Sequence, residues 1–321
     1  ARVAVAATGA QSLAAGLGVA DEGGNAIDAA LAAAFVALAT EPGLVSFGGG
    51  AFINIWPAES EPEVIDGNVE MPGRGLPHDR FGAGVREIWT DYGGGVLMHA
   101  GHGTAATPGC VPALARAHAD YAKLSWPRLL EPAIFAARDG YPMGAAGARY
   151  LNFVADSLFG DDPEAHRLVT RGDGSLIEPG EVTANPLLAD TLIALANEGP
   201  SLFTVGEVAR RLAEQMEHES GLITAADLAE YQTVVRRPHV MTAGEWQVAI
   251  NPPPAIGGPM LAIMLGELQR RGAWDWRDVI EVQQTTLAYR LGVHDFSADL
   301  LGDGERLLAA VAEHGLDPLR S

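Results

Sequence analysis

The residues best suited by type and spacing to do chemistry lie between positions 95 and 110. Gly101-His102-Gly103-Thr104-Ala105-Ala106 has the spacing of a dinucleotide-binding glycine loop, with alanine in its last place, and a strand-like run over 95–99 precedes it. Such a loop holds a pyrophosphate only when a helix starts inside it and turns its N-terminus toward the phosphates. Here Thr107-Pro108-Gly109 interrupts, a helix is expected only from about Pro112, and Asp120 falls inside that helix instead of ending a second strand. The spacing fails on context, and no nucleotide cofactor is expected. His99 and His102 are near enough in sequence to share a metal ion, but no third ligand pattern accompanies them. Cys110 has no catalytic histidine beside it and reads as a small buried thiol. Arg171-Gly172-Asp173 reads as a turn, and neither a Gly-x-Ser-x-Gly elbow nor a Walker loop occurs. No metal site emerges from generic chemistry.

Around these residues the chain alternates glycine-rich turns with well-punctuated helices. A short buried strand is expected over 3–8 and a helix over 11–21, closed by Gly23-Gly24. Asn25 is placed to cap a second helix, nearly all alanine, that runs to about Thr40. Being apolar on all sides, that helix should lie between other layers. Glu41-Pro42 stops it, 43–50 is a glycine-rich turn, and 52–56 reads as a buried strand with a partner over 63–66. A Gly/Pro-rich loop follows over 67–77. Further helices are expected from Trp126 to Gly140, from Asn185-Pro186 to Gly199-Pro200, from a Thr204/Glu207 capping box through Glu219, and over 225–231 behind Thr224. After a strand over 246–250 and the Pro252-Pro253-Pro254 stop, helices are expected over 259–271, 276–291 and 304–314. No repeat or linker divides residues 1–321, so one continuous α/β domain is expected.

Composition narrows the function classes. The 321 residues carry 21 Lys and Arg against 41 Asp and Glu, a net charge of −20, and 48% are hydrophobic. This is a globular composition, and its charge argues against nucleic acid or anionic membrane as a partner. One cysteine excludes an internal disulfide framework. The opening Ala1-Arg2-Val3-Ala4-Val5 shows no targeting pattern, and the most apolar run, 29–39, falls short of the ~20 residues that cross a bilayer. No membrane insertion is expected, and the compartment stays open between cytoplasmic and exported.

Several segments, in order, resemble the γ-glutamyltranspeptidase family. They are Gly23-Gly24-Asn25-Ala26-Ile27-Asp28-Ala29-Ala30; Glu41-Pro42 with Gly48-Gly49-Gly50-Ala51-Phe52; and Thr107-Pro108-Gly109 with Val111. Leu130-Glu131-Pro132-Ala133-Ile134 follows within 126–140, then Gly221-Leu222-Ile223-Thr224 with Asp227-Leu228-Ala229-Glu230-Tyr231, and finally Pro252-Pro253-Pro254 with Gly257-Gly258. The resemblance spans roughly residues 3–270. It implies a four-layer αββα sandwich of the N-terminal nucleophile hydrolases, with this chain supplying helical layers and part of the sheets. It further implies a precursor that cuts itself into a larger and a smaller subunit, the new N-terminal threonine of the smaller one being the nucleophile. Chain length, motif order and the end at Leu319-Arg320-Ser321 suit the larger subunit. On that resemblance the catalytic residues lie outside this chain, no metal or organic cofactor is needed, the obligatory partner is the smaller C-terminal subunit, and the substrate is a small-molecule amide.

One departure bears on specificity. The family's larger subunit carries an arginine in an Asp-x-Arg-Glu-x-x-Pro segment that holds the α-carboxylate of the glutamyl donor. The matching stretch here is Asp66-Gly67-Asn68-Val69-Glu70-Met71-Pro72, which puts Asn68 in the arginine's place and Val69 in the glutamate's. Losing a charged hydrogen bond of roughly 1.5–3 kcal/mol weakens γ-glutamyl binding by about 10- to 100-fold. Two readings follow. Either Arg74 or Arg80 restores carboxylate binding from the same loop region, or the pocket has changed its acyl group, as in relatives that resemble cephalosporin or glutaryl acylases. The second is preferred, because neither arginine aligns with the family position and loop arginines commonly face solvent. Asn68, Val69, Glu70 and Arg74 are therefore the candidate substrate-binding residues; Glu70 and His78, in the same loop, are within reach of substrate, although a charged loop residue is ordinarily just solvated. A non-catalytic binding relative of the same fold is the rival from another class.

Overall fold

The computed structural model describes residues 3–320. Local sequence signals form most of its helices. Asn25 accepts the N–H of Ile27 (2.8 Å) and Asp28 (3.0 Å), and the Asp28 carboxylate accepts the Asn25 N–H in return at 2.7 Å. This closed capping box starts the helix Ala26–Thr40. A second box, Thr224 with Asp227, starts Ala225–Glu230. Asn185 accepts the Leu188 N–H at 3.0 Å, with Pro186 opening the helix Pro186–Glu198 behind it.

The chain divides into two compact units, residues 1–51 with 67–233 and residues 52–66 with 234–321. The core of the first is a row of helices. Ala10–Asp21 packs on Ala26–Thr40, which packs on Trp126–Asp139, which packs in turn on Pro186–Glu198. The alanine-rich helix thus lies between neighbours, as its all-round apolarity requires, with Leu31, Ala32, Phe35 and Val36 buried. Phe35 meets Trp126 edge-on at 5.1 Å between ring centroids, and the Trp126 indole N–H donates to the Leu195 carbonyl at 3.0 Å. Asp28, fully buried, also accepts the N–H groups of Lys123 and Leu124, fastening the helix start to a remote turn. A second cluster forms around Leu151 on the helix Ala145–Phe159, an element not expected above, which starts behind Gly144 without a side-chain cap. The hairpin Arg86–Thr90 with Val96–Ala100 rests on that helix through the Thr90 hydroxyl, which donates to the Phe153 carbonyl at 3.1 Å.

The second unit holds a three-stranded sheet, Ala51–Ile55, Glu63–Gly67 and Val234–Arg236, with the last two antiparallel. It also holds a hairpin of His239–Ala243 with Trp246–Ile250. Its helices Gly257–Arg271, Trp276–Gly292, Leu300–His314 and Asp317–Arg320 enclose Met260, Ile263, Val282, Leu307 and Val311. The Asn54 amide ties sheet to hairpin by donating to the Ala249 carbonyl at 2.9 Å.

Three expectations need correction. Residues 3–8 form no strand; they run without regular pairing, with Val3 and Val5 only half-buried. The strand expected over 52–56 is present as Ala51–Ile55 but is buried only at Ile55: Phe52 is 37% exposed, and Trp56, just past the strand, 46%. The Thr204/Glu207 capping box does not form. A 3₁₀ turn over Pro200–Phe203 draws the Thr204 hydroxyl back to the Ser201 carbonyl (3.5 Å), and Glu207–His218 starts behind Gly206 without a side-chain cap. Glu207 pairs instead with Arg210 and Arg211. Ser321, the last residue of the stretch that suits the larger subunit, lies outside the described residues.

Candidate functional site

Within the first unit, four separated stretches meet: the glycine turn 48–50, the loop 67–74, the segment 107–109, and the helix Ala225–Glu230 with Tyr231 after it. The Gly49 carbonyl accepts the N–H groups of Gly109 (3.1 Å) and Cys110 (3.0 Å). Glu70 and Thr107 form a two-way antiparallel bridge, 3.1 and 3.0 Å. The Tyr231 hydroxyl donates to the Asn68 carbonyl at 2.7 Å. Gly67 and Gly109 cross with no room for a side chain. A Cβ on Gly109 would overlap the Tyr231 hydroxyl and the Gly67 carbonyl, and one on Gly67 would overlap Ala113. Here glycine serves close approach of backbones.

The loop is clamped from below by Asp227. This fully buried carboxylate accepts the N–H of Gly73 (2.8 Å), of Arg74 (3.1 Å) and of Thr224 (2.8 Å), together with the Thr224 hydroxyl (2.8 Å) and the Arg74 guanidinium (3.1 Å). Burial opposes its ionisation, but the hydrogen bonds from Gly73, Thr224 and Arg74 together outweigh that and hold the carboxyl below its usual range. Arg74 also pairs with Glu70 at 3.0 Å and with Glu230 at 3.4 Å. Glu70, then Asp227, raise the guanidinium's affinity for its proton. Three carboxylates around one guanidinium leave this cluster anionic.

Each candidate residue takes a distinct place. Asn68 is exposed, and Val69 beside it is 39% exposed. Both lie over Gly50, where a Cβ would come within 3.0 Å of the Asn68 side-chain carbonyl. Glu70 and Arg74 are partly buried and bound to each other. Arg80 donates to the Gly221 carbonyl at 3.4 Å. His78 is exposed and its ring lies 6.4 Å from that of Phe81. Asp227 and Glu230 were legible only as helix and motif residues; the Thr224-x-x-Asp227 spacing signalled a cap, while the clamp on Arg74 carried no local mark.

The other chemical residues stay apart from this loop. His99 sits on the hairpin with Glu87 at 3.7 Å, and His102 lies 3.5 Å from the Gln215 amide. Cys110 is buried, and burial pushes its thiol up to about 11. Among the described residues no group of three His, Cys, Asp or Glu could hold a metal ion, and no helix is long and apolar enough to cross a membrane.

A family model for gamma-glutamyltranspeptidase matches residues 12–310. The chain is 32% identical over 297 residues to a glutathione hydrolase proenzyme of Pseudomonas aeruginosa, covering 88% of this chain and 49% of that protein. It is 30% identical over 256 residues to the acylase ACY 1 proenzyme of a Pseudomonas species (strain SE83), covering 77% of this chain and 44% of that protein. The chain spans about half the length of these curated relatives. The crystal structure of Helicobacter pylori gamma-glutamyltranspeptidase superposes with a TM-score of 0.80 at 25% identity, over 99% of this chain and 92% of that one.

Proposed function

The chain belongs to the gamma-glutamyltranspeptidase family and has its N-terminal nucleophile hydrolase fold, and from that premise we propose that it is the larger subunit of a self-processed amidohydrolase or acyltransferase whose donor is not a standard γ-glutamyl group. The smaller subunit supplies an N-terminal threonine. Its hydroxyl oxygen adds to the amide carbonyl of the donor while the α-amine takes the hydroxyl proton. The C–N bond then breaks, the amine leaves with that proton, and an acyl ester stays on the threonine. Water or a second amine takes the acyl group and returns the hydroxyl. The larger subunit supplies scaffold and one wall of the acyl pocket, with Asn68, Val69 and Glu70 facing the donor and Arg74 holding the loop.

The observation that carries the specificity reading is the state of Arg74. With Asn68 in the family arginine's position, a donor carboxylate needs another cation. Arg74 is already held by Glu70, Asp227 and Glu230, and the surplus of carboxylates there repels a further one. A neutral amide at Asn68 suits an acyl group with less charge. The acylase relative supports a changed acyl group.

Amine release from a γ-glutamyl anilide and from neutral aliphatic anilides, measured on the full-length processed protein, tests this. Faster turnover of the neutral donors is expected. Turnover of the γ-glutamyl anilide at the rate of ordinary transpeptidases, lost in Arg74→Gln or Arg80→Gln while turnover of the neutral donors is kept, would instead establish a relocated arginine. Absence of a threonine-initiated second chain would establish the non-catalytic relative.

A further inference from the structure

The first unit has a cleft of about 440 Å³ that Thr224, the cap residue bonded to Asp227, helps to line. Leu76, Ala213, Ile223 and Ala225 give it apolar walls, and Arg80, Arg210, Glu214 and Glu217 bring charge to it. Two of those charges are consumed internally, because Arg210 pairs with Glu214 at 2.5 Å and with Glu207 at 2.8 Å. The other two are not. Among the described residues half-buried Arg80 has no carboxylate partner, only the long bond to the Gly221 carbonyl at 3.4 Å, and Glu217, which is exposed to solvent, has neither ion pair nor hydrogen bond. In a chain with 41 acidic residues to 21 basic ones, Arg80 stands out as a half-buried guanidinium whose charge no carboxylate neutralises, free to pair with an anion in the cleft.

The geometry points to a second binding site, in this cleft, for a small zwitterion with an apolar body: the free carboxylate and ammonium of an amino acid or of a short peptide. The carboxylate pairs with Arg80, the ammonium with Glu217, and the side chain lies on Leu76 and Ile223. A dianion meets Glu217 and the Arg210-paired Glu214. A wholly apolar ligand strips water from both free charges without replacing it. The volume lies within the range of small-molecule pockets, roughly 300–1,000 Å³.

Occupancy has a physical route to the loop. Thr224 lines the cleft, and its hydroxyl donates to Asp227 at 2.8 Å, the carboxylate that holds the N–H groups of Gly73 and Arg74. Leu76, on the cleft wall, bonds through its N–H to the Gly73 carbonyl at 3.0 Å. A ligand on these two residues therefore favours the clamped loop over any looser one.

Titration calorimetry on the full-length protein tests the site, with L-leucine and leucyl-leucine as the two zwitterions and leucinamide and 4-methylpentanoate as probes lacking one charge each. Saturable binding of one zwitterion is expected, at least 10-fold weaker for both single-charge probes and at least 10-fold weaker in Arg80→Gln and in Glu217→Gln. Which zwitterion binds identifies the source. Arg80→Lys, which keeps the charge, should retain part of the affinity and guards against a folding defect. Hydrogen exchange at the Gly73 and Arg74 amides should slow on binding. Failure of both zwitterions to saturate below about 10 mM, or affinity unchanged in both glutamine variants, overturns the proposal; the second result places the ligand elsewhere, the reaction site included.

Discussion

Asp227→Asn should destabilise the first unit by about 3 kcal/mol or more. The residue is fully buried, and its carboxylate accepts three backbone N–H groups, one hydroxyl and one guanidinium. A hydrogen bond to a charged group contributes about 1.5–3 kcal/mol, and such contributions within one network do not add. Removing one member of a buried charged network costs roughly 3–5 kcal/mol. Asparagine keeps the shape but turns an amide NH₂ toward donors, so the lower end of that range applies. At about 2–4 °C per kcal/mol for a domain of this size, the melting temperature should fall by about 6–12 °C. The pH dependence supplies a second reading of the same variant. The Asp227 carboxyl is held below its usual range in the folded chain, so its unfolded value, about 3.9, is the higher of the two. Such a group stabilises the fold fully above the unfolded value, and that stabilisation is lost as pH falls through the folded one. Melting curves of both proteins should stay a constant distance apart from pH 8 to pH 5 and converge below about pH 4. A gap under about 2 °C at pH 7, or one that widens on acidification, would refute the clamp.

Three further outcomes are expected. Asn68→Arg should raise kcat/KM for a γ-glutamyl anilide by about 10- to 100-fold, the converse of one lost charged hydrogen bond; no gain removes Asn68 from the acyl pocket. Gly109→Ala should lower stability by about 1–3 kcal/mol or more in a denaturant melt, because the new methyl displaces the Tyr231 hydroxyl and breaks its bond to Asn68. A wild-type melt would show that the backbones can part at no cost. Cys110, its thiol pushed up to about 11, should react with a thiol reagent at pH 8 about two orders of magnitude more slowly than a free cysteine, and at the ordinary rate once unfolded. Rapid labelling of the folded protein would show that the thiol is not sequestered.

Much of this protein is written in short stretches of chain. Asn25, Asn185 and Thr224 mark helix starts because a cap is satisfied within three residues, so the signal and the structure occupy the same window. The all-apolar helix Ala26–Thr40 could only be an inner one, and the ordered glycine-rich segments identify the family before any fold is seen. Thr204 shows the limit of that reasoning. Its spacing from Glu207 is right for a capping box, but the preceding 3₁₀ turn claims the hydroxyl. Ala145–Phe159 had no capping residue to announce it, since Gly144 precedes it, although its buried residues Ala148, Leu151, Val154 and Ala155 recur at helical spacing.

The exposure of Phe52 and Trp56 followed the same rule, since composition says that a strand is apolar and not what covers it. The loop is the sharpest case. The sequence alone determined that asparagine stands where the family has arginine, and that Arg74 and Arg80 were the cations at hand. Only the tertiary structure decided what those cations do. Asp227 is 153 residues from Arg74 along the chain, yet it consumes the charge that the loop would otherwise offer, while Arg80 turns into a different cleft. Pairing of this kind depends on distance in space, because a charged hydrogen bond needs its partners within about 3 Å and the Coulomb energy falls as the inverse of their separation, and separation along the chain carries no record of it.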